Sequence, residues 1–449
     1  MDKKTNTVWK NTIELFTARP ARYYLPASIA EVVWSVREAE SKGMRIRAVG
    51  AGHSFSDVAI TDGTLLDMKH MDAVQAVAPE RLKPEARGLL LAEAEAGITV
   101  HDLNRRLDDL GWALPTHGAI DNQTISGAIA TGTHGCALDW PGLHGIVRSM
   151  VLVAHQGQVW RVEPTNGITQ PGSHDPSGAK LVQNDDTFYS LLVHLGAFGI
   201  ITSLIIEVKP QYYLYERRSV EGWRTLKKSI HDGSLFQPYP VEIDGQTKPL
   251  KVAGIQITVN PFAPSGDHQA LVGRVLHLPS KPSMGLLTAT RSIVTNIVAR
   301  TMIPYEALIH KAIKKPESLP KALDQGLHFM QDEAYVAKSF KVWFQGMEFL
   351  ALKGFGAEFA YEGETSHWIE TLELSFKHVQ DIAAKGIHGA SPIMIRFTAP
   401  GKAYLVWTMA ARPPGSAILA SASCPMALPT WTRCRISTWR RAASPTGAR

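Results

Sequence analysis

A strand that runs without pause into a glycine turn constrains this chain more than any other feature. In RIRAVGAGHSFSD, residues 45–57, Ile46 and Ala48 alternate with Arg45 and Arg47, the period-two pattern of a half-buried strand. The turn that follows is Gly50, Ala51, Gly52, His53, Ser54 and Phe55. Glycine enters the positive-φ region without steric cost, and successive N–H groups in such a turn form a concave site for a phosphate or pyrophosphate. This GxG is not a Rossmann fingerprint. No third glycine follows at the required spacing, and HSFSDVAITDG does not open a helix, which disfavours an NAD-type βαβ site.

A second glycine loop, QTISGAIATGTHG, spans Gln123 to Gly135. Its pattern predicts a short helix capped by Thr124 and running through Ile129, with first-turn N–H groups facing the same anion. Ser126, Gly127, Ala128, Ala130 and Gly132 are small enough to press against a planar or extended ligand, and Thr131, Thr133 and His134 add hydroxyl and imidazole groups. Two such loops suit one large ligand that spans both. They equally suit two tight turns in a compact α/β domain, and physics alone leaves both readings open.

Short strands and helices alternate around these loops. TLLDM and LLLAEAEAG read as strands, and TVHDLNRRLDDLG reads as a helix capped at Thr99 and ended by Gly111. SMVLVAHQGQVWRVEP reads as a hairpin turning at Gln156-Gly157, and LGAFGIITSLIIEVKP as a glycine turn entering a β-branched strand that Pro210 ends. After about Pro210 the character changes to long strands such as KVAGIQITV, helices near 286–314, and a Pro/Lys stretch, KKPESLPKALDQ. A domain boundary is expected near 210.

Charge and cysteine usage exclude several classes. Of the 47 basic residues, six arginines lie in 412–449 with no acidic neighbour, so residues 1–411 balance 41 basic against 41 acidic side chains. A phosphate-tracking protein would spread its excess over a folded face, so nucleic-acid binding is rejected. Three cysteines, Cys136, Cys424 and Cys434, make neither a metal cluster nor an even disulfide framework, and no metal site is expected. No apolar run is long enough to span a membrane, and the N-terminus lacks a secretory signal. The expectation is a soluble cytoplasmic protein, with peripheral membrane association left open. The segment from Arg412 reads as neither amphipathic helix nor alternating strand, which suggests a frame shift between Leu405 and Arg412. Translating the other frames of the gene tests this.

Three stretches carry a resemblance. VGAGHSFSDVAITDGTLLDM, GWALPTHGAIDNQTISGAIATGTHG and LGAFGIITSLIIEV resemble, in order, three motifs of the FAD-binding domain of the vanillyl-alcohol-oxidase (PCMH-type) superfamily, nearest its sugar-1,4-lactone and alditol oxidase group. WKN, YYLPASIAEVVWSVREA, AEFAYE and PIMIRFTAPGKAYL are similar to the same group. The resemblance implies an α+β fold. A two-lobed PCMH-type FAD-binding domain (1–210) would precede an α+β substrate or cap domain (211–411), with 412–449 left as an atypical basic tail. It implies FAD-dependent oxidation of a CH–OH group on a sugar-1,4-lactone or polyol, with hydride passing to flavin N5. Electrons would then pass to oxygen, giving hydrogen peroxide, or to another acceptor such as a cytochrome or quinone. The tail leaves a catalytically impaired flavin-binding protein as a further alternative.

The resemblance also assigns residues. His53 would bond covalently to the flavin 8α-methyl, with attachment at Cys136 the lesser alternative. Ala48, Val49, Gly50, Ala51, Gly52, His53 and Ser54 would line the pyrophosphate. Thr124, Gly127, Thr131, Gly132, Thr133 and His134 would form the second wall, and Gly199 and Ile200 would approach the flavin from the strand closing the domain. Gly118, with Ala119 beside it, would leave room for dioxygen. Glu358 would orient the substrate hydroxyl or take its proton, and Arg396 would bring positive charge to the pocket. Some members place an arginine two residues after the glutamate; here Ala360 stands there. The group's terminal His-Trp-x-Lys stretch is not reproduced in PTWTR around Trp431.

Overall fold

The computed structural model describes residues 1–4, 7–243, 245–282, 312, 314–344, 355–362, 366–389, 391–405 and 417–424. The helices expected near 286–314 and the PTWTR stretch lie outside these residues, apart from Ala312 and Lys314.

The N-terminal part builds two sheets. The first contains β1 (Asp2–Lys4), β4 (Arg22–Leu25), β5 (Ile46–Val49) and β6 (Thr64–Asp67) in the order β1-β4-β6-β5, while β2 (Trp9–Lys10) and β3 (Thr17–Ala18) form a small separate pair. Strands β4, β6 and β5 run parallel, so a crossover must link β4 to β5. Helix α1 (Ile29–Ser41) supplies it. Its start is held from both sides: Ser28 Oγ accepts from Glu31 N at 3.3 Å, and the Glu31 carboxylate accepts from Ala27 N, one residue before the cap, at 2.8 Å.

The second sheet holds β7 (Val74–Ala76), β8 (Leu91–Glu95), β10 (Val147–Val153), β11 (Val159–Glu163), β12 (Lys180–Gln183) and β13 (Ile200–Glu207), in the order β12-β11-β10-β13-β8-β7. Strand β13 is buried along seven of its eight residues, as its near-continuous Ile and Leu content requires of a central strand. The β10–β11 hairpin turns where expected, with Gln156 at φ 58° and Gly157 at φ 68°. Helix α2 (Val100–Asp109) is capped by Thr99, whose hydroxyl accepts from Asp102 N. The short α3 (Ile125–Ala130) and α4 (Asp185–Leu192) complete this part, and one apolar core including Leu66, Ile98, Leu103, Ile129, Leu152 and Leu204 joins both sheets.

After β9 (Trp112–Ala113) pairs with β14 (Lys209–Pro210), the chain enters a third sheet. Its members are β15 (Tyr213–Gly222), β18 (Val252–Val259), β19 (Gln269–His277), β20 (Asp332–Lys338), β21 (Phe355–Glu362), β22 (Ile393–Thr398) and β23 (Ala417–Cys424). The order is β20-β15-β19-β18-β22-β23-β21, every pairing antiparallel. The hairpin β16 (Tyr239–Ile243) and β17 (Gln246–Leu250) stands apart. Helices α5 (Trp223–His231) and α8 (His367–Ala383) pack on one face through Trp223, Leu226, Trp368, Leu372 and Phe376. The Pro/Lys stretch forms α6 (Leu319–Phe329), Pro320 falling in its first turn where a missing N–H costs nothing; α7 (Ser339–Trp343) follows β20.

Strand β23 corrects the sequence reading, which found no strand pattern in the tail. It is an interior strand, paired with β22 on one side and β21 on the other. A two-sided backbone ladder holds such a segment extended even where its alternation is short and made of small residues. Among the described residues β21 pairs only with β23, so this tail strand fixes where Glu358 stands.

Candidate active site

The first glycine loop is fastened from behind by the N-terminal segment. Thr12 N donates to Gly52 O at 2.9 Å, Thr12 Oγ1 to Ala51 O at 2.9 Å, and Asn11 Nδ2 to Ser54 O at 3.1 Å. Asn11 is buried, and its own Oδ1 accepts from Phe16 N at 2.9 Å. The carbonyls of Ala51, Gly52 and Ser54 are thereby occupied, while the N–H groups of Ala51 through Phe55 have no acceptor among the described residues. A row of unpaired N–H groups with Gly52 at φ 74° is an anion cradle. Gly50 meets the second loop directly: a Cβ there would fall 1.9 Å from Thr124 Oγ1. Thr124 takes the N-cap position of α3, but its hydroxyl makes no capping bond, contrary to the expected role. Its oxygen lies instead against the first loop.

A third segment ties the two together. Arg47, on β5, donates to Leu195 O at 3.1 Å, and Leu195 N donates to Ala130 O at 3.0 Å. Gly199, at φ 146°, has room for no side chain, since a Cβ would come within 2.8 Å of Val153 O. Ala48 is half-buried, and the side chains of Val49 and Ile200 lie in apolar cores. The three motifs thus converge on one place. Thr131 Oγ1 donates back to Gly127 O at 2.9 Å, and Gly132 holds its turn at φ 73° against Val193. Gly118 differs from expectation: the place a methyl would take is held by Thr133 Cγ2 at 2.8 Å, so its small size serves packing rather than open room; Ala119 beside it is half-buried.

The His53 ring is half-buried and makes no hydrogen bond among the described residues. Burial lowers its pKa and keeps the imidazole neutral near neutral pH, the form in which its nitrogen is a nucleophile. Cys136 is the reverse case. Its thiol is fully buried and pushed up to about 12, chiefly by burial, so it stays an inert thiol.

His134 connects the parts. Its Nδ1 donates to Gly135 O at 3.0 Å, and its Nε2 lies 3.0 Å from Glu358 Oε1. Arg396 Nη2 donates to the same Glu358 oxygen at 2.6 Å, and Arg396 Nη1 to His134 O at 3.3 Å. Burial pushes the Glu358 carboxyl upward, but the His134 hydrogen bond and the Arg396 and His134 charges outweigh it and hold the group at about 2. Arg396 comes from β22 and Glu358 from β21, with β23 between them. The charge that an arginine at position 360 would supply arrives from the other side of that strand.

Sequence reasoning missed His117, Asn104, Gln123 and His144. His117 donates through Nδ1 to Gly118 O at 2.6 Å and accepts at Nε2 from Asn104 Nδ2 at 2.8 Å, which fixes a neutral tautomer in keeping with a pKa lowered by burial. Its carbonyl presses on the second loop, where a Cβ on Gly135 would lie 2.0 Å away. His144, with both ring nitrogens unpartnered, is lowered to about 4 by burial and by His134. Only spatial neighbours mark these residues. Gln123 Oε1, Thr116 Oγ1 and Arg396 Nε are likewise buried without a partner. Unpaired N–H groups in the first loop, and orphaned polar atoms in and near the second, fit a large polar cofactor with a diphosphate. No cluster of metal-binding side chains occurs among the described residues, nor any helix long and apolar enough to cross a membrane.

Residues 20–163 match the FAD binding domain family. Over 49% of its length the chain is 31% identical to the D-arabinono-1,4-lactone oxidase of Eremothecium gossypii, covering 38% of that protein. Over 46% it is 30% identical to the L-gulonolactone oxidase of Mus musculus, covering 42% of it. The matched part therefore spans about two fifths of these relatives. The fold is that of cholesterol oxidase from Brevibacterium sterolicum, with TM-score 0.68 and 16% identity over 95% of this chain and 81% of that one.

Proposed function

We propose that this chain is an FAD-dependent oxidase of a CH–OH group on a sugar-1,4-lactone or polyol, passing electrons to oxygen to give hydrogen peroxide. Residues 1–210 would form the flavin domain and 211–411 the cap, the protein would be cytoplasmic, and FAD would be attached through His53. One observation carries the reading: Glu358 of the third sheet is hydrogen-bonded to His134 of the second glycine loop, which sets a carboxylate where a substrate would lie between sheet and cofactor. The names of the curated relatives point to the same chemistry.

When bound, the flavin supplies a hydride acceptor. The N–H groups of Ala51 to Phe55 would hold the diphosphate, with Thr124 beside them. Glu358, ionised throughout the neutral range, would accept from the substrate hydroxyl and orient it. A carboxylate held near 2 is a poor general base at pH 7, so of the two roles expected for Glu358, orientation is favoured. Arg396 would fix that carboxylate and place positive charge beside the reacting group.

The test is a visible spectrum of purified, FAD-loaded protein under anaerobic titration with lactones and alditols. Bleaching by one of them, and peroxide on admitting air, are expected. A flavin that no lactone or alditol reduces would overturn the reading; bleaching without peroxide would convert it to a dehydrogenase.

A further inference from the structure

The third sheet carries a polar row of which the reaction as described uses only Arg396. Arg218 pairs in register with Gly273, Gly273 with Gln256, and Gln256 with Arg396. Directly opposed residues of an antiparallel sheet point to the same side, so Arg218, Gln256 and Arg396 share the face that bears Glu358. Adjacent Gly254 lies on that face too, pressed so close to the second loop that a Cβ would fall 2.6 Å from Cys136 O. Gly273 is different. Among the described residues a Cβ there would meet only Gln256 O, at 3.6 Å, so none of them fills the space over it.

The groups around that space are ready to bond. Arg218 gives Nη2 to Glu216 Oε1 at 3.3 Å, and its Nε and Nη1 have no partner among the described residues. The Gln256 amide makes no hydrogen bond among them either. Each guanidinium already faces a carboxylate, Arg218 with Glu216 and Arg396 with Glu358, so the charges are matched before any ligand arrives. Matched charge with spare donors and an amide acceptor suits hydroxyl groups better than an anion. Three strand spacings set the Arg218 and Arg396 Cα atoms about 14 Å apart, room for a short sugar chain between their side chains.

We propose that the open floor at Gly273, walled by Arg218, Gln256 and Arg396, is a subsite for the hydroxyl groups of a neutral polyol or lactone beyond the carbon being oxidised. Hydroxyl oxygens accept from Arg218 Nε and Nη1, and a hydroxyl hydrogen donates to Gln256 Oε1. This rests on the oxidase reading, and it explains how a sheet face could prefer polyhydroxylated alcohols to simple ones.

Gly273→Val fills the floor with a residue suited to strands, and Gln256→Leu removes the amide should the first variant misfold. The probes are a five-carbon alditol, ethylene glycol, which lacks the distal hydroxyls, and an aldonate as the anionic counterpart. Binding is read by ligand-induced rise in melting temperature and by perturbation of the flavin spectrum, and turnover separately. Each variant is expected to weaken alditol binding and raise its KM about 10-fold or more, with kcat within about 2-fold and ethylene glycol unaffected. Equal losses for alditol and ethylene glycol, no loss in either variant, or tighter binding of the aldonate than of the alditol would each overturn the subsite. Alditol binding that the variants weaken, in a wild type that never bleaches, upholds the subsite and removes the oxidase reading instead.

Discussion

His53 and His134 each stand in a glycine loop, and the molecule treats them in opposite ways. The His53 ring has no hydrogen-bond partner among the described residues, while the loop carrying it is fastened through its carbonyls by Asn11 and Thr12. His134 is buried and engaged at both nitrogens, to Gly135 O and to Glu358 of a sheet more than 200 positions away. In the first loop the backbone is held and the side chain left available. In the second the side chain itself is the joint. A histidine without partners can react; one held on both sides can only position.

The sharpest way to break this contrast is His53→Ala. FAD-loaded protein precipitated in acid should give a yellow pellet, the variant a colourless one, and Cys136→Ala a pellet as yellow as the wild type. Colour retained in His53→Ala would move the attachment elsewhere. Next in size, Glu358→Gln keeps the shape but loses the charge that Arg396 and His134 bind. A charge-assisted hydrogen bond is worth about 1.5–3 kcal/mol, so a fall of about 10- to 100-fold in kcat/KM is expected, with bound flavin unchanged.

Acid should loosen the same joint. The folded-state pKa of Glu358, about 2, lies below its ordinary 4.5, so its contribution is complete above pH 4.5 and disappears as the pH falls toward 2. That contribution is on the order of 3 kcal/mol, and urea titrations between pH 6 and pH 3 should lose about 2 kcal/mol of it in the wild type and not in Glu358→Gln. The smallest effect belongs to Asn11→Ala. Removing one buried amide that serves Ser54 O and Phe16 N should cost about 1–2 kcal/mol in urea unfolding and weaken FAD retention, with the affinity of flavin-loaded protein for substrate unchanged.

Much of this was legible in the chain. The β5 strand into Gly50, the helix capped at Thr99, the hairpin at Gln156-Gly157 and the buried β13 strand follow from local chemistry: alternation, capping hydroxyls and positive-φ turns act within a few residues. The tail strand β23 was not read, because the alternation of Ala420, Ser421, Ala422 and Ser423 is short and made of small residues, and its extension rests on backbone pairing on both sides. Nor was the loss of the Thr124 cap, since the hydroxyl's place was decided by Gly50 arriving from another motif.

By itself, then, the sequence determined which residues can make a phosphate cradle and which imidazole follows it, because turn geometry and residue type are local properties. Only the tertiary structure decided that Glu358 is an anchored carboxylate rather than a free base, and that Arg396 supplies the charge absent at Ala360. Those outcomes depend on distances between strands remote in sequence, and on burial, which no stretch of residues carries alone.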